Sequence, residues 1–156
     1  MKIIIAGAGE VGTHLAKLLS REEQDIILID NDEEKLRELD ANYNLMTVIG
    51  NPTAFQTLKQ AQVYKADLFI AVMPFESRNI MASKLGAKKT LARVDNYEYL
   101  LPENKAFFEN LGVNELIYPE KLAAEEVITA LKHTWTRNWF ELCNGELIVL
   151  SVKLHD

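Results

Sequence analysis

Short apolar runs alternate along this chain with segments whose apolar residues recur every three to four positions. "KIIIA" (2–6) is a continuous Ile-rich run, the signature of a strand buried on both faces. The residues after it place Val11, Leu15, Leu18 and Leu19 on one helical face. "DIILID" (25–30) predicts a second strand. Asn31 then stands as an N-cap with Glu34 three residues on, the capping-box spacing, and Leu36 and Leu39 point inward from the helix that follows. "NLMTVIG" (44–50) predicts a third strand, and a helix over 54–61 aligns Ala54, Leu58 and Ala61. "ADLFIAVMP" (66–74) predicts the fourth strand, before a short helix around 77–85 that ends at Gly86. "KKTLARVDN" (88–96) and "NELIYP" (114–119) predict the fifth and sixth strands, separated by a helix that ends at Gly112.

Strand and helix alternate with short connections, which calls for a parallel sheet covered on both faces. With right-handed crossovers the result is an α/β fold, a doubly wound, Rossmann-like parallel sheet of about six strands. After Pro119 the pattern changes. "EKLAAEEVITALKHTWTRNW" carries two apolar stripes, Ala123/Val127/Ala130/Leu131 and Ala124/Ile128/Leu131/Trp135. One stripe suffices for a helix lying on one sheet, so the second predicts a partner subunit or a following domain; a single broad stripe is the plainer reading. In "WFELCNGELIVLSVKL", Asn144-Gly145 between two strand-like runs signals a hairpin, with Ile148, Leu150, Val152 and Leu154 on one face. A lone hairpin is marginal in water. The expected organisation is therefore a Rossmann-like domain over residues 1–132, then a linker-helix end and hairpin over 133–156 that open a second β-containing domain cut short.

Composition narrows the function classes. The 156 residues are 48% hydrophobic and 26% charged with a net charge of -6, and no Lys/Arg cluster interleaves with aromatics. That argues against nucleic acid and against an anionic membrane surface as partners. One cysteine, Cys143, excludes an internal disulfide and a cysteine-rich metal site, so no metal is expected. No apolar run reaches the roughly 18 residues of a membrane-spanning helix. With a buried-type strand at the very start, the expected compartment is the cytoplasm.

The first strand-to-helix turn, "GAGEVG", is a G-x-G-x-x-G loop. Gly7 suits the tight turn, Gly9 lets the backbone approach a pyrophosphate, and Gly12 lets the helix pack close to the strand. Phosphate then meets unpaired N–H groups and the positive end of the helix dipole. Asp30 ends the second strand 18 residues after Gly12. A carboxylate there accepts from a ribose 2′-hydroxyl and repels a 2′-phosphate, which favours NAD(H) or an adenosine nucleotide over NADP(H). Asn31 beside it joins the candidate set. Gly50-Asn51, ending the third strand, reads equally as an adenine-side contact or as a loop turn. Met73-Pro74 ends the fourth strand on the same edge. Arg93, ending the fifth, reads equally as a phosphate contact or as part of a surface ion pair. Lys35 reads as a solvated charge.

No catalytic residue is identified. His14, His133 and His155 pair by spacing with no Ser, Cys or carboxylate in a catalytic pattern, Cys143 reads as a small apolar residue, and Glu76 reads as a loop charge. The ligand is then sensed rather than consumed.

These residues carry a family resemblance. "MKIIIAGAGEVGTHLAKLL", the acid Asp30, "VIGNPTAFQTLKQAQVYKADLFIAV", "TLARVDNYEY" and "LGVNELIYPEKLAAEEV" resemble the blocks of the RCK (KTN) nucleotide-binding domain of TrkA-type potassium-uptake regulators, through about residue 132. "WFELCNGELIVLSVKL" is similar to the start of that family's C-terminal domain. One block departs: where the family often has A-V-T-x-x-D-E-x-N, this chain reads "AVMPFESRN", with Met73 for Thr, Glu76 for Asp, Ser77 for Glu, and Asn79 retained. The resemblance implies a non-enzymatic regulatory subunit that binds NAD(H), or ATP/ADP instead, and gates potassium transport. It implies dimers or a tetrameric ring beneath a membrane potassium transporter subunit. Residue by residue it implies phosphate contacts at Gly7, Ala8, Gly9, Glu10 and Val11, ribose at Asp30, adenine near Asn51, backbone contacts at Met73 and Pro74, and phosphate at Arg93. Two other classes stay open on the residues alone: the cofactor-binding portion of an NAD-dependent oxidoreductase, and an assembly module with a vestigial loop.

Overall fold

The Ile-rich run at the start forms the centre of a sheet, as its two-sided apolarity demands. In the computed structural model β1 (Lys2–Ala6) pairs in parallel with β2 (Asp25–Asp30) on one side and with β4 (Leu68–Ala71) on the other. The structure describes residues 1–83, 86–132, 138–142 (backbone only) and 146–152. β3 (Met46–Ile49) flanks β2, and β5 (Lys89–Arg93) and β6 (Glu115–Ile117) extend the other side. The strand order is β3-β2-β1-β4-β5-β6, all parallel. The chain thus winds outward from β1 to β3 and then returns to lie beside β1 as β4. That reversal leaves a crevice at the carboxyl ends of β1 and β4, where open α/β sheets bind ligands.

Alternation within each strand feeds two cores. Ile4, Ile27, Ile29 and Phe69 pack with Leu58 of α3 (Phe55–Gln60) and Ala82 of α4 (Glu76–Ala82). Ile3, Ile5, Ile26, Leu28 and Ile70 pack with Ala16 of α1 (Glu10–Leu19) and Leu36 and Leu39 of α2 (Glu33–Asn42). A smaller cluster joins Ala92 of β5, Phe108 of α5 (Pro102–Asn110) and Val113. These clusters lie within the compact unit Met1–Tyr118.

Two sequence expectations shift at α1 and α2. The inward face of α1 is Gly12 and Ala16, with Leu15 and Leu19 beside them, while Val11 and Leu18 are exposed. Close approach decides this: a Cβ on Gly12 would collide with the Gly7 carbonyl oxygen, so the Gly12–Ala16 face must press on β1. The N-cap of α2 is Asp32 rather than Asn31, its Oδ1 accepting from Lys35 N–H at 3.1 Å. The cap moves one residue on because Asp30 Oδ1 first accepts from Asp32 N–H at 3.0 Å, forming a turn before the helix.

The second unit, Pro119–Asp156, holds α6 (Pro119–Lys132) and a two-stranded antiparallel sheet of β7 (Asn138–Leu142) and β8 (Leu147–Ser151). The two flanks of the expected hairpin do pair, with Phe140 opposite Val149. The Asn144-Gly145 turn, Cys143, His133, Trp135, Leu154 and His155 lie outside the described residues. Asn138 and Trp139, the last residues of the run expected to be helical, belong to β7.

Candidate functional site

Four strand ends converge on one hollow of about 360 Å³. Gly7, Ala8 and Gly9 follow β1; Asp30 ends β2, with Asn31, Asp32 and Lys35 after it; Met73, Pro74, Phe75 and Arg78 follow β4; and Asn51 and Pro52 follow β3. A larger hollow of about 510 Å³, bordered by Lys2, Asp25, Ile26 and Met46, sits at the amino ends of the strands. The carboxyl-edge hollow is the candidate because ligands of open parallel sheets dock there, at the reversal of strand order.

The glycine loop opens the hollow. Gly7 has φ +108, a left-handed value, and its N–H donates to the Ile29 carbonyl at 2.9 Å. A side chain there would be strained whatever the space. Above Gly9 the space is open: an added Cβ would meet no protein atom within 4 Å. Gly9 is also the N-cap of α1, so no side chain caps that helix, and the first N–H bond back along it runs from Thr13 to the Gly9 carbonyl at 2.9 Å. The preceding N–H groups of the first turn form an uncapped positive helix end, a place suited to an anion.

Asp30 is wired into this loop. Its Oδ2 accepts from Ala8 N–H at 2.6 Å, and its Oδ1 accepts from Asp32 N–H. The carboxylate is thereby held against the loop, with lone-pair capacity left on each oxygen for a hydroxyl donor. The Ala8 N–H, a phosphate contact on the resemblance, is directed at Asp30.

A buried amide braces the β4 side. Asn79, fully buried in α4, accepts from Met73 N–H through Oδ1 at 2.8 Å. Its Nδ2 donates to the Met73 carbonyl at 3.0 Å and to the Arg93 carbonyl at 2.9 Å. One side chain thus ties the ends of β4 and β5 to each other. Glu76, expected as a loop charge, is the first residue of α4, and its Oε2 accepts from Asp95 N–H at 3.0 Å.

Of the candidate residues, Gly7, Ala8, Gly9, Asp30, Asn31, Asn51, Met73 and Pro74 share the hollow. Glu10, Val11 and Gly12 follow it in α1, and Gly50 stands behind it with its N–H donating to the Asp30 carbonyl at 2.8 Å. Arg93 is not on its lining; the Arg93 guanidinium lies 3.4 Å from the Asp95 carboxylate. Lys35, read as a solvated charge, does line the hollow, as do Asp32, Pro52, Phe75 and Arg78, which sequence reasoning passed over. All but Arg78, which stands in the first turn of α4, sit within five residues of a strand's carboxyl end, and that position was the available signal. Among the described residues no group of His, Cys, Asp and Glu is placed to hold a metal ion.

A doubly wound parallel sheet with a glycine loop and an acid at the end of β2 defines a Rossmann-like domain of the NAD(P)-binding fold class. The chain belongs to the TrkA-N domain family, whose model matches residues 3–119. Among its curated relatives is the Trk system potassium uptake protein TrkA of Haemophilus influenzae, 34% identical over 161 residues, covering 99% of this chain and 35% of the relative. The chain thus spans about a third of that relative's length. Two solved structures share the fold. The TrkA-N domain of the inner membrane protein ybaL from Escherichia coli has a TM-score of 0.71 at 18% identity, covering 83% of this chain and 96% of that one. The GsuK structure bound to ADP has a TM-score of 0.64 at 25% identity, covering 85% of this chain and 34% of that one.

Proposed function

We propose that this chain is the ligand-sensing part of a Trk-type potassium uptake system and that it binds NAD(H) or an adenine nucleotide without transforming it. The observation that carries the reading is the Asp30 carboxylate held 2.6 Å from the Ala8 N–H, at the point where strand order reverses. A carboxylate so held beside an uncapped helix end that suits phosphate supports a ribose-acceptor role for Asp30. The family membership and the ADP bound by the GsuK structure support the same ligand class. The naming of its relatives as potassium uptake proteins favours sensing over hydride transfer. The Trk potassium uptake naming of its relatives supports action at the cytoplasmic face through a transporter subunit. A ligand that binds two conformations unequally shifts their populations. Exposed apolar residues of α6, assembled in a dimer or a ring of four, would carry that shift to neighbours.

Calorimetric titration of the chain with NADH, NAD⁺, ADP and ATP tests the ligand. Binding of at least one is expected, and Asp30→Ala should weaken NADH by about 1–3 kcal/mol, the scale of a lost hydrogen bond to a charged group. Failure of all four at millimolar concentration overturns the reading. Unchanged NADH affinity in Asp30→Ala removes Asp30 as the ribose partner.

A further inference from the structure

The hollow is electrically lopsided. Its two carboxylates, Asp30 and Asp32, lie together at the end of β2, offset only in part by Lys35 of α2 on the same side. At the opposite side, after β4, Arg78 holds its guanidinium carbon 4.7 Å from the centroid of the Phe75 ring. Both side chains are exposed and both line the hollow. The Arg78 N–H donates to the Phe75 carbonyl at 3.0 Å, fixing the two residues in one turn. The turn itself is anchored from beneath, because Asn79, next in sequence, grips both polar groups of the Met73 backbone. Among the described residues no carboxylate pairs with Arg78. The nearest acid in sequence, Glu76, is occupied by the Asp95 N–H on the β5 side.

A nucleotide with its ribose at Asp30 and its first phosphates over the glycine loop runs along the sheet edge from β2, across β1, toward β4. Its far end therefore arrives at Phe75 and Arg78. Candidate ligands differ most at that end. ADP ends with the two phosphates over the loop; beyond them ATP brings a γ-phosphate, NADH a neutral dihydronicotinamide, and NAD⁺ a ring with a full positive charge. A cation already lying over the aromatic face favours the γ-phosphate, tolerates the neutral ring and repels the charged one. The geometry points to Arg78 as the specificity-determining residue of this site, selecting ligands with an anionic far end over NAD⁺. This rests on the nucleotide reading above and adds the basis of choice within it.

The test is the ratio of affinities, measured by calorimetry on the full chain. Unsubstituted protein should bind ATP and NADH more tightly than NAD⁺. Arg78→Ala should weaken ATP about five-fold, the effect of one unit charge at contact distance in a water-exposed site, while NAD⁺ is unchanged or tightened. The ATP-to-NAD⁺ preference should collapse in Arg78→Ala, persist in Arg78→Lys, and shrink in the unsubstituted chain as salt is raised. Arg78→Gln, which keeps the side chain's bulk without its charge, serves should the Ala variant fail to fold. Equal losses for ATP and NAD⁺, or no change in either, overturn the selectivity and leave nucleotide binding standing. Absence of binding by every nucleotide to the unsubstituted chain overturns both.

Discussion

The two units of this chain use similar apolar residues to opposite effect. In Met1–Tyr118 the Ile, Leu and Val of the central strands are sealed: Ile4, Ile5, Leu28, Ile29 and Phe69 are fully buried. In Pro119–Asp156 no residue of α6 is buried, and Leu122, Val127 and Leu131 are 53%, 59% and 69% exposed. β8 likewise exposes Leu147, Ile148, Val149 and Leu150, on both of its faces. Apolar periodicity states that a face wants covering; only a neighbouring layer covers it. The first unit supplies its own layers, a sheet between helices. The second carries the pattern of a covered element with no covering layer among the described residues.

That contrast yields predictions, beginning with the largest effect and its counterpart in the second unit. Phe69→Ala, deep in the β4 layer, should cost about 3–5 kcal/mol in chemical denaturation, because the cavity cannot collapse between sheet and helices. Val127→Ala in α6 should cost no more than about 0.5 kcal/mol in the isolated chain at low concentration. A loss for Val127→Ala that grows with protein concentration would show that a second copy covers this face, and the contrast would then belong to the monomer alone.

Asn79→Ala should come next, at about 1–3 kcal/mol, since it strands buried backbone groups of Met73 and Arg93. It should also weaken nucleotide binding through the loosened β4 end. Unchanged stability would mean that water replaces the amide.

The smallest effect lies at the surface of the first unit. Asp67 accepts from the Lys88 ammonium at 2.7 Å and from Lys2 N–H at 2.8 Å, and Lys88 before Lys2 holds its carboxyl below the usual carboxylate range. A carboxyl lowered in the folded state lends stability that is complete above the unfolded pKa of about 3.9 and is lost as pH falls through the folded value. Asp67→Asn should therefore flatten the acid limb of the stability curve slightly and leave the neutral region nearly unchanged, and high salt should erase the difference. An acid limb identical to that of the unsubstituted chain would show that the ion pair is silent.

Which features could be read from residue order follows from the range of the forces involved. "KIIIA" and "DIILID" declare central strands because continuous apolar runs have one stable home, between two layers. The glycine loop and Asp30 are legible because the turn chemistry and spacing are local. The cap of α2 was displaced by one residue because Asp30 bonds the Asp32 N–H first, a contest between adjacent side chains that periodicity does not register. Val11 and Leu18 face outward because the approach of Gly12 to the Gly7 carbonyl sets the rotation of α1, and that approach is a contact between two elements.

Residue order by itself determined the alternation of strand and helix, the class of sheet, and the loop and acid that suit a nucleotide. Each depends on interactions within a few residues, or on burial that any two-layered cover satisfies. Only the tertiary structure decided that β4 returns beside β1, that Phe75 and Arg78 border the hollow opposite Asp30, and that Asn79 binds two strand ends. Those facts bring together residues tens of positions apart, and their geometry exists once the strands have chosen neighbours.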